Sequence, residues 1–402
     1  MRVEDLGMFR FLHEVLNRVN VAYVATYPPA ECGIATFTRD LVTAIQKFTP
    51  FSEPRVVAIN EEGHILRYDH RYVKHTISKQ EKESYQEAAE YINSQPVDIV
   101  SIQHEFGIFG GPEGEYLIDF MAALRKPIVT TLHTVVLQPW GAMRAGVEAI
   151  FEYSDVVVAM LDIARDILDD VYKVDTRKLR IIPHGVPNVP RIPIEVAKKN
   201  LGLDGRKIIS TFGLVSRGKG LEYVIQAMPE VIRRFPDALY LILGETHPSV
   251  RRHEGEVYRN ELDEWVRRLG VRRHVRFDNR YLTLEELVNY LNATDVYVTP
   301  YVNPDQIVSG TLAYAIGCGR AIVSTPYLYA QSSLSENRGL LAEFRNPGSI
   351  AEAITRILGE APLRTCLEDN CYQWGRKMTW HNVAIEYLDA FHRVMPGRRA
   401  AA

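Results

Sequence analysis

Cysteine is scarce in this sequence: Cys32, Cys318, Cys366 and Cys371 are spread over 402 residues with no CxxC pair. That speaks against a disulfide framework or a thiolate zinc site and fits the reducing cytoplasm. The opening residues show no basic-then-apolar signal segment. Long apolar runs are missing as well. The run ending Val156–Leu161 stops at Asp162, far short of the roughly 20 residues a membrane helix needs. No transmembrane segment is expected, and the amphipathic stretch Met8–Leu12 reads either as a docking helix or strand or as a peripheral contact at the membrane. Charge of one sign is not in excess, with 47 Lys and Arg against 50 Asp and Glu, so nothing suits a phosphate backbone and nucleic acid is not an expected partner. Histidines are scattered and no Asp-x-Asp motif occurs, so no metal is expected.

The sequence does have ordinary globular composition, 46% hydrophobic and 24% charged, at a length that predicts two domains of roughly 200 residues. Short apolar runs recur at even spacing, each followed by a stretch of helical periodicity, the pattern of parallel strands joined by crossover helices. Strands are expected at Val21–Thr26, Arg55–Ile59, Asp98–Gln103, Pro127–Leu132, Val156–Met160 and Leu179–Ile182 in the first half. The second half offers Lys207–Phe212, Ala238–Leu243, His274–Phe277, Val296–Thr299 and Ala321–Ser324. Pro183–Pro193 carries four prolines, which resist helix and cannot donate to a sheet, and reads as a hinge. Thr379–Arg393 reads as a closing helix with Thr379 at its N-cap, and Arg398–Ala402 as a frayed tail.

In an open parallel sheet, ligands bind beyond the carboxyl ends of the strands, so the residues just after each strand carry the chemistry. After the first strand, Tyr27–Leu41 turns at Gly33 into a helix; Gly33 either admits an anion or sugar to the helix N-terminus or merely makes a tight turn. Gln103–Glu115 gathers His104, Glu105 and several glycines in one loop, and His133 stands at the end of another strand. A neutral imidazole there can bond a sugar hydroxyl or a developing charge, although a satisfied loop histidine is the plainer alternative.

In the second half, Phe212–Leu221 combines Gly213, Ser216, Arg217, Gly218, Lys219 and Gly220 between a strand and a helix. Small residues, backbone donors and fixed positive charge together suit a diphosphate, without the spacing of a Walker P-loop. Gly244–His247 follows the next strand and can be a ligand loop or simple capping. In Pro300–Gly319, Asp305 and Gln306 follow a strand, while Ser309, Gly310 and Thr311 can open a helix with exposed N–H groups. A sugar and a pyrophosphate can share that mouth.

Taken together, the Gly33 loop, His133, Pro183-His-Gly-Val, Gly213 through Gly220 and the Pro300–Gly319 block followed by Arg-Ala-Ile-Val-Ser resemble the retaining GT-B glycosyltransferases of family 4 over nearly the whole chain. The resemblance implies two Rossmann-like, doubly wound parallel-sheet α/β domains facing across a cleft. Residues 1–190 would form the acceptor-side domain, 191–376 the donor nucleotide-sugar domain, and 377–402 a helix returning to the first domain. It further implies Lys219 on the departing diphosphate, His133 on the donor sugar and Asp305 or Gln306 on its hydroxyls. Gly33, Gly213, Arg217, Gly244, Ser309, Gly310, Thr311 and Tyr314 would line the donor site, with His104 and Glu105 on the acceptor side. Two departures from the family pattern stand out. The arginine usual five residues before the lysine is Leu214, for which Arg217 is a candidate substitute, and the paired glutamates separated by seven residues become Gln306 and Tyr314.

The implied reaction moves a hexose, glucose- or mannose-type, from a nucleoside diphosphate, UDP- or GDP-linked, to a hydroxyl of a sugar, polyol or lipid-linked acceptor, with retention and without a further cofactor. Closing the domains over the donor would exclude water. A disaccharide phosphorylase of the same fold, suggested by the missing glutamate at Tyr314, and a sugar-nucleotide-binding protein without turnover, suggested by Leu214, Gln306 and Tyr314 together, are the alternatives.

Overall fold

A computed structural model of the chain describes residues 19–61, 63 and 66–395; the Met8–Leu12 stretch and the tail Arg398–Ala402 lie outside these. Contacts divide the chain into two compact units, one formed by the residues up to Gly185 together with those from Trp380 onward, the other by Val186–Thr379.

The first unit is built on strands β1 (Val21–Ala25), β2 (Arg55–Asn60), β3 (Val73–Ser78), β4 (Ile99–His104), β5 (Ile128–Leu132), β6 (Val156–Ala159) and β7 (Leu179–Ile181). They form one parallel sheet in the order β3-β2-β1-β4-β5-β6-β7. The central strands β1, β4 and β5 are buried along their whole length, which is why their sequences are continuous rather than alternating hydrophobics. Helix α1 (Gly33–Phe48) follows β1 and buries Phe37, Leu41, Val42 and Ile45. The C-terminal helix Trp380–Val394 packs against α1 in this unit and buries Val383, Tyr387, Phe391 and Val394. Tyr387 is tied to the sheet by its hydroxyl, 2.9 Å from that of Thr131. Thr379 immediately precedes that helix, and its hydroxyl donates to the carbonyl of Arg376.

The second unit holds β8 (Lys207–Phe212), β9 (Ala238–Leu243), β10 (Val275–Asp278), β11 (Val296–Thr299), β12 (Ile322–Ser324) and β13 (Leu340–Leu341), parallel in the order β10-β9-β8-β11-β12-β13. Helices α2 (Leu221–Arg234), α3 (Val257–Arg268), α4 (Gly310–Gly317) and α5 (Ala361–Lys377) belong to this unit. Its core joins Val224, Ile225, Met228 and Val231 of α2 with Tyr240, Ile242, Val296, Val298 and Leu262. Below the sheet, Lys198 makes a 2.8 Å ion pair with Asp295, both almost wholly buried. Asp295 also accepts from the Ile208 N–H at 2.7 Å and from Arg364 at 3.2 Å, so one carboxylate ties the starts of β8 and β11 to the helices on either side. Each unit is thus a doubly wound α/β sheet whose strand order reverses once near the middle, at β1/β4 and at β8/β11.

Every stretch expected as a strand forms one. Two strands had no counterpart in the sequence reading. β3 lies on the sheet edge with only Val73 and Ile77 buried, and β13 is two residues long, so neither supplies a continuous apolar run.

Candidate functional site

The carboxyl ends of β8 and β11 adjoin at the strand-order reversal of the second unit, which brings two distant loops together. After β8 the chain passes Gly213 and Ser216, makes the short turn Arg217–Lys219 and enters α2 from Gly220. After β11 it passes Tyr301 and reaches Ser309, whose side chain caps α4 by accepting from the Leu312 N–H at 3.3 Å. The two loops are bonded directly, Val302 N–H donating to the Gly218 carbonyl at 3.1 Å.

Lys219 lies at the centre of this arrangement. Its ammonium donates to the Tyr301 hydroxyl at 2.8 Å, that hydroxyl is 2.6 Å from Thr311 Oγ1, and Thr311 Oγ1 is 3.2 Å from Ser309 Oγ. Burial pushes the Tyr301 phenol up, but the charge and hydrogen bond of Lys219, with the bonds from Thr311 and Ser309, bring it below the usual tyrosine value. The result is a cation held beside the first turn of a helix, where unsatisfied N–H groups and the helix dipole both favour an anion.

Glycine makes the close approaches possible. A Cβ on Gly244, at φ 133°, would fall 2.3 Å from the Gly213 carbonyl oxygen, so the loops after β8 and β9 can touch only backbone to backbone. Gly213 in turn faces the Thr311 methyl, which would lie 3.0 Å from an added Cβ. The structure therefore assembles Gly213, Lys219, Gly244, Ser309, Gly310 and Thr311 at one edge of one sheet.

The other expected donor residues lie differently. Arg217 is turned to α3: its guanidinium makes two bonds to Glu261, at 2.6 and 2.7 Å, and lies over the Tyr258 ring. It is not brought to the Lys219–Thr311 chain. Asp305 and Gln306 belong to the loop before α4, the Asp305 N–H bonded to Asn303 and the Gln306 amide donating to the Val308 carbonyl at 2.9 Å. Tyr314 is buried in α4 with its ring 6.3 Å from that of Phe212, so this position presents an aromatic ring where the family pattern has a carboxylate.

Two residues absent from the sequence reading belong to the same edge. Tyr301 holds the lysine, yet as a tyrosine next to a strand-terminal proline it reads like one more strand residue. Arg259 of α3 donates to the Gly244 carbonyl at 2.9 Å and to Thr246 Oγ1 at 3.2 Å, bracing the loop after β9. No sequence signal separates it from the other arginines of that helix.

The first unit has its own cluster at the same kind of edge. His104 is the last residue of β4 and His133 follows β5, linked by the His133 N–H to the His104 carbonyl at 2.9 Å. His133 Nε2 is 3.0 Å from Gln103 Oε1, and Phe37 of α1 meets the rings of His133, His184 and Trp380 edge-on at 4.7, 5.2 and 5.1 Å. Burial drives His104 and His133 down to about 3 and His184 to about 4, His133 lowered further by its two histidine neighbours. All three are uncharged at neutral pH and act as hydrogen-bonding groups rather than as cations. His104 Nδ1 is buried and has no hydrogen-bond partner among the described residues.

Glu105 accepts from Phe106 N–H at 3.0 Å and from the Thr134 hydroxyl at 2.6 Å, with burial raising its carboxyl against these bonds. Gly33 is the first residue of α1, and a Cβ there would meet nothing within 4 Å, so neither packing nor its backbone angle demands glycine. Its N-cap is Cys32, whose sulfur accepts from the Ala35 N–H at 3.3 Å. Among the described residues, no three His, Cys, Asp or Glu side chains gather as a metal site, and no helix is long and apolar enough to cross a membrane.

Comparison with known proteins bears on both units. Residues 33–188 match the family described as Glycosyltransferase Family 4, and residues 206–360 the one described as Glycosyl transferases group 1. The chain is 25% identical over 252 residues to the D-inositol 3-phosphate glycosyltransferase of Corynebacterium urealyticum, a match covering 61% of this chain and 58% of that protein. It is 23% identical to an uncharacterized glycosyltransferase of Methanocaldococcus jannaschii over 67% of this chain and 70% of the other. Among solved structures, sucrose-phosphate synthase from Thermosynechococcus elongatus superimposes with a TM-score of 0.77 at 17% identity, covering 94% of this chain and 99% of that one. The Anabaena protein HepE in complex with UDP and glucose gives 0.72 at 13% identity, covering 92% and 98%. At such identities these structures establish the fold, two Rossmann-like domains of the GT-B type, and the family matches establish the rest: the chain belongs to the family 4, group 1 glycosyltransferases.

Proposed function

We propose that the protein is a retaining hexosyltransferase that takes its sugar, of the glucose or mannose type, from a nucleoside diphosphate, UDP- or GDP-linked, and passes it to a hydroxyl acceptor. The observation that carries this reading is the placement of Lys219 beside the N-terminus of α4 through the chain Tyr301–Thr311–Ser309. A diphosphate leaving group develops negative charge as the glycosidic bond breaks. Fixed donors aimed at that charge stabilise the transition state more than the ground state. Lys219 neutralises the departing phosphate, and the backbone N–H groups of Gly310 and Thr311 at the start of α4 bind its oxygens. Gly213 and Gly244 leave room for the diphosphate to approach the backbone.

The acceptor hydroxyl attacks from the face of the leaving group and gives its proton to a phosphate oxygen, so that no nucleophile on the protein is needed. Asp305 or Gln306 holds the sugar hydroxyls and orients the ring. In the first unit, the neutral imidazole of His133 bonds a sugar hydroxyl, and His104 and Glu105 serve the acceptor. The HepE structure in complex with UDP and glucose supports a nucleotide-sugar donor.

The test is to offer UDP-, GDP- and ADP-linked hexoses with a mixture of sugar and polyol acceptors, follow nucleotide release, and read the product's anomeric configuration by NMR. Release from one donor class with an axial product from an axial donor fits the reading; an inverted product refutes retention. Phosphate-dependent cleavage of a disaccharide with no use of any nucleotide would instead mark a phosphorylase, a reading favoured by the aromatic Tyr314 where a ribose-binding carboxylate is usual.

A further inference from the structure

The hydroxyl that holds Lys219 comes from a tyrosine built into the core. Tyr301 is 1% exposed, its ring stacks on that of Tyr327 at 5.1 Å and 18°, and its carbonyl accepts from the Thr325 hydroxyl at 2.5 Å. Tyr327 is itself buried, its hydroxyl donating to Thr299 Oγ1 at 3.3 Å. The phenol is therefore a fixed point, whereas a lysine has four side-chain torsions and loses rotamer freedom when held still.

The ammonium can only donate, so the Tyr301 oxygen accepts from it, and that oxygen lies 2.6 Å from Thr311 Oγ1. Thr311 Oγ1 is 3.2 Å from Ser309 Oγ, which accepts from the Leu312 N–H. Lys219 spends one of its three N–H groups on the tyrosine and keeps two for a ligand.

We propose that Tyr301 is a positioning residue for the transfer reaction: its buried hydroxyl tethers the Lys219 ammonium beside the α4 N-terminus. This rests on the reading of Lys219 as the diphosphate-binding lysine. It adds a residue that itself touches no substrate and acts through Lys219. Binding then requires little ordering of the lysine, the usual source of affinity in a preorganised site.

Tyr301→Phe keeps the ring on Tyr327 and removes only the hydroxyl. Calorimetric titration with UDP and GDP of the wild type, Tyr301→Phe, Lys219→Met and the double variant forms a cycle that separates tethering from general packing. The nucleotide that binds the wild type is expected to bind Tyr301→Phe about tenfold more weakly, the scale of one hydrogen bond to a charged group. In the Lys219→Met background the same substitution should change nothing, because there is no ammonium left to hold. Equal losses in both backgrounds, or no loss in either, overturn the proposal. A second measurement needs no nucleotide: acylation of Lys219 by an amine-selective reagent, followed by mass spectrometry, should run several-fold faster in Tyr301→Phe, and an unchanged rate refutes the tether. Were the wild type to bind neither UDP nor GDP, the reading of a UDP- or GDP-linked donor would fall, and the labelling rate would still decide whether Tyr301 holds Lys219.

Discussion

Gly220 and the carbonyl of Pro300 approach so closely that a Cβ on Gly220 would stand 2.2 Å from the Pro300 oxygen. Gly220 also has φ 62°, the left-handed region in which a side chain is strained. The pair joins the turn that carries Lys219 to the end of β11, one residue before Tyr301. Replacing Gly220 by alanine should therefore separate lysine from tyrosine as well as strain the backbone. The expected outcome for Gly220→Ala is a loss of about 1–3 kcal/mol of stability with nucleotide binding reduced by at least the amount seen for Tyr301→Phe. Chemical denaturation and titration with UDP or GDP check both; a variant with full affinity would show that the approach is dispensable.

The buried histidines predict how stability depends on pH. His104 and His133 at about 3 and His184 at about 4 lie below the ordinary imidazole value of 6.5. The unfolded chain therefore takes up protons that the folded first unit refuses. Stability from this source is complete above about pH 6.5 and falls as the pH drops toward 3, by up to about 1.4 kcal/mol per pH unit for each imidazole. Glu105, with its carboxyl raised, works in the opposite sense and only partly offsets this. Melting temperatures should stay level from pH 7.5 to about 6.5 and fall from there to about pH 5, and the fall should be shallower in His133→Gln. A flat profile would contradict the burial of neutral imidazoles.

Asp295 should be among the costliest single positions in the second unit. Asp295→Ala strands the buried Lys198 ammonium and orphans the Ile208 N–H, and about 3–5 kcal/mol is the usual cost of breaking such a pair. Combining Lys198→Met with Asp295→Asn removes both charges, keeps an acceptor for Ile208, and should recover much of the loss. Denaturant titrations of the three proteins decide it; a double variant as unstable as Asp295→Ala would show that the ion pair itself is required.

How much of this was legible beforehand depends on the kind of signal. Strands buried on both faces, such as β1, β4, β8 and β11, declare themselves as apolar runs, and their parallel pairing follows from the alternation with helices. β3 does not, because an edge strand with half-buried residues such as Lys74 and His75 has no such run. Within the site, Gly213, Lys219, Gly244 and Ser309–Thr311 could be named because loops at strand ends are few and their small, basic and hydroxyl residues stand out. Arg217 illustrates the limit. Its charge and spacing suit a phosphate, but its partner Glu261 lies 44 positions away on α3, and nothing local announces that bidentate pair. Tyr301 was hidden for the opposite reason, since its apolar ring masks a hydroxyl whose partners, Lys219 and Thr311, meet it only in three dimensions.

The most direct measurement compares wild type and Lys219→Ala for release of nucleoside diphosphate from UDP-, GDP- and ADP-linked hexoses in the presence of sugar and polyol acceptors. One charge-assisted contact to the leaving phosphate is worth about 1.5–3 kcal/mol, so release from one donor class should fall roughly ten- to a hundredfold in the variant. Release that is equally fast without the lysine, or no release from any donor by the wild type, would contradict the placement of the departing diphosphate at Lys219 and the N-terminus of α4.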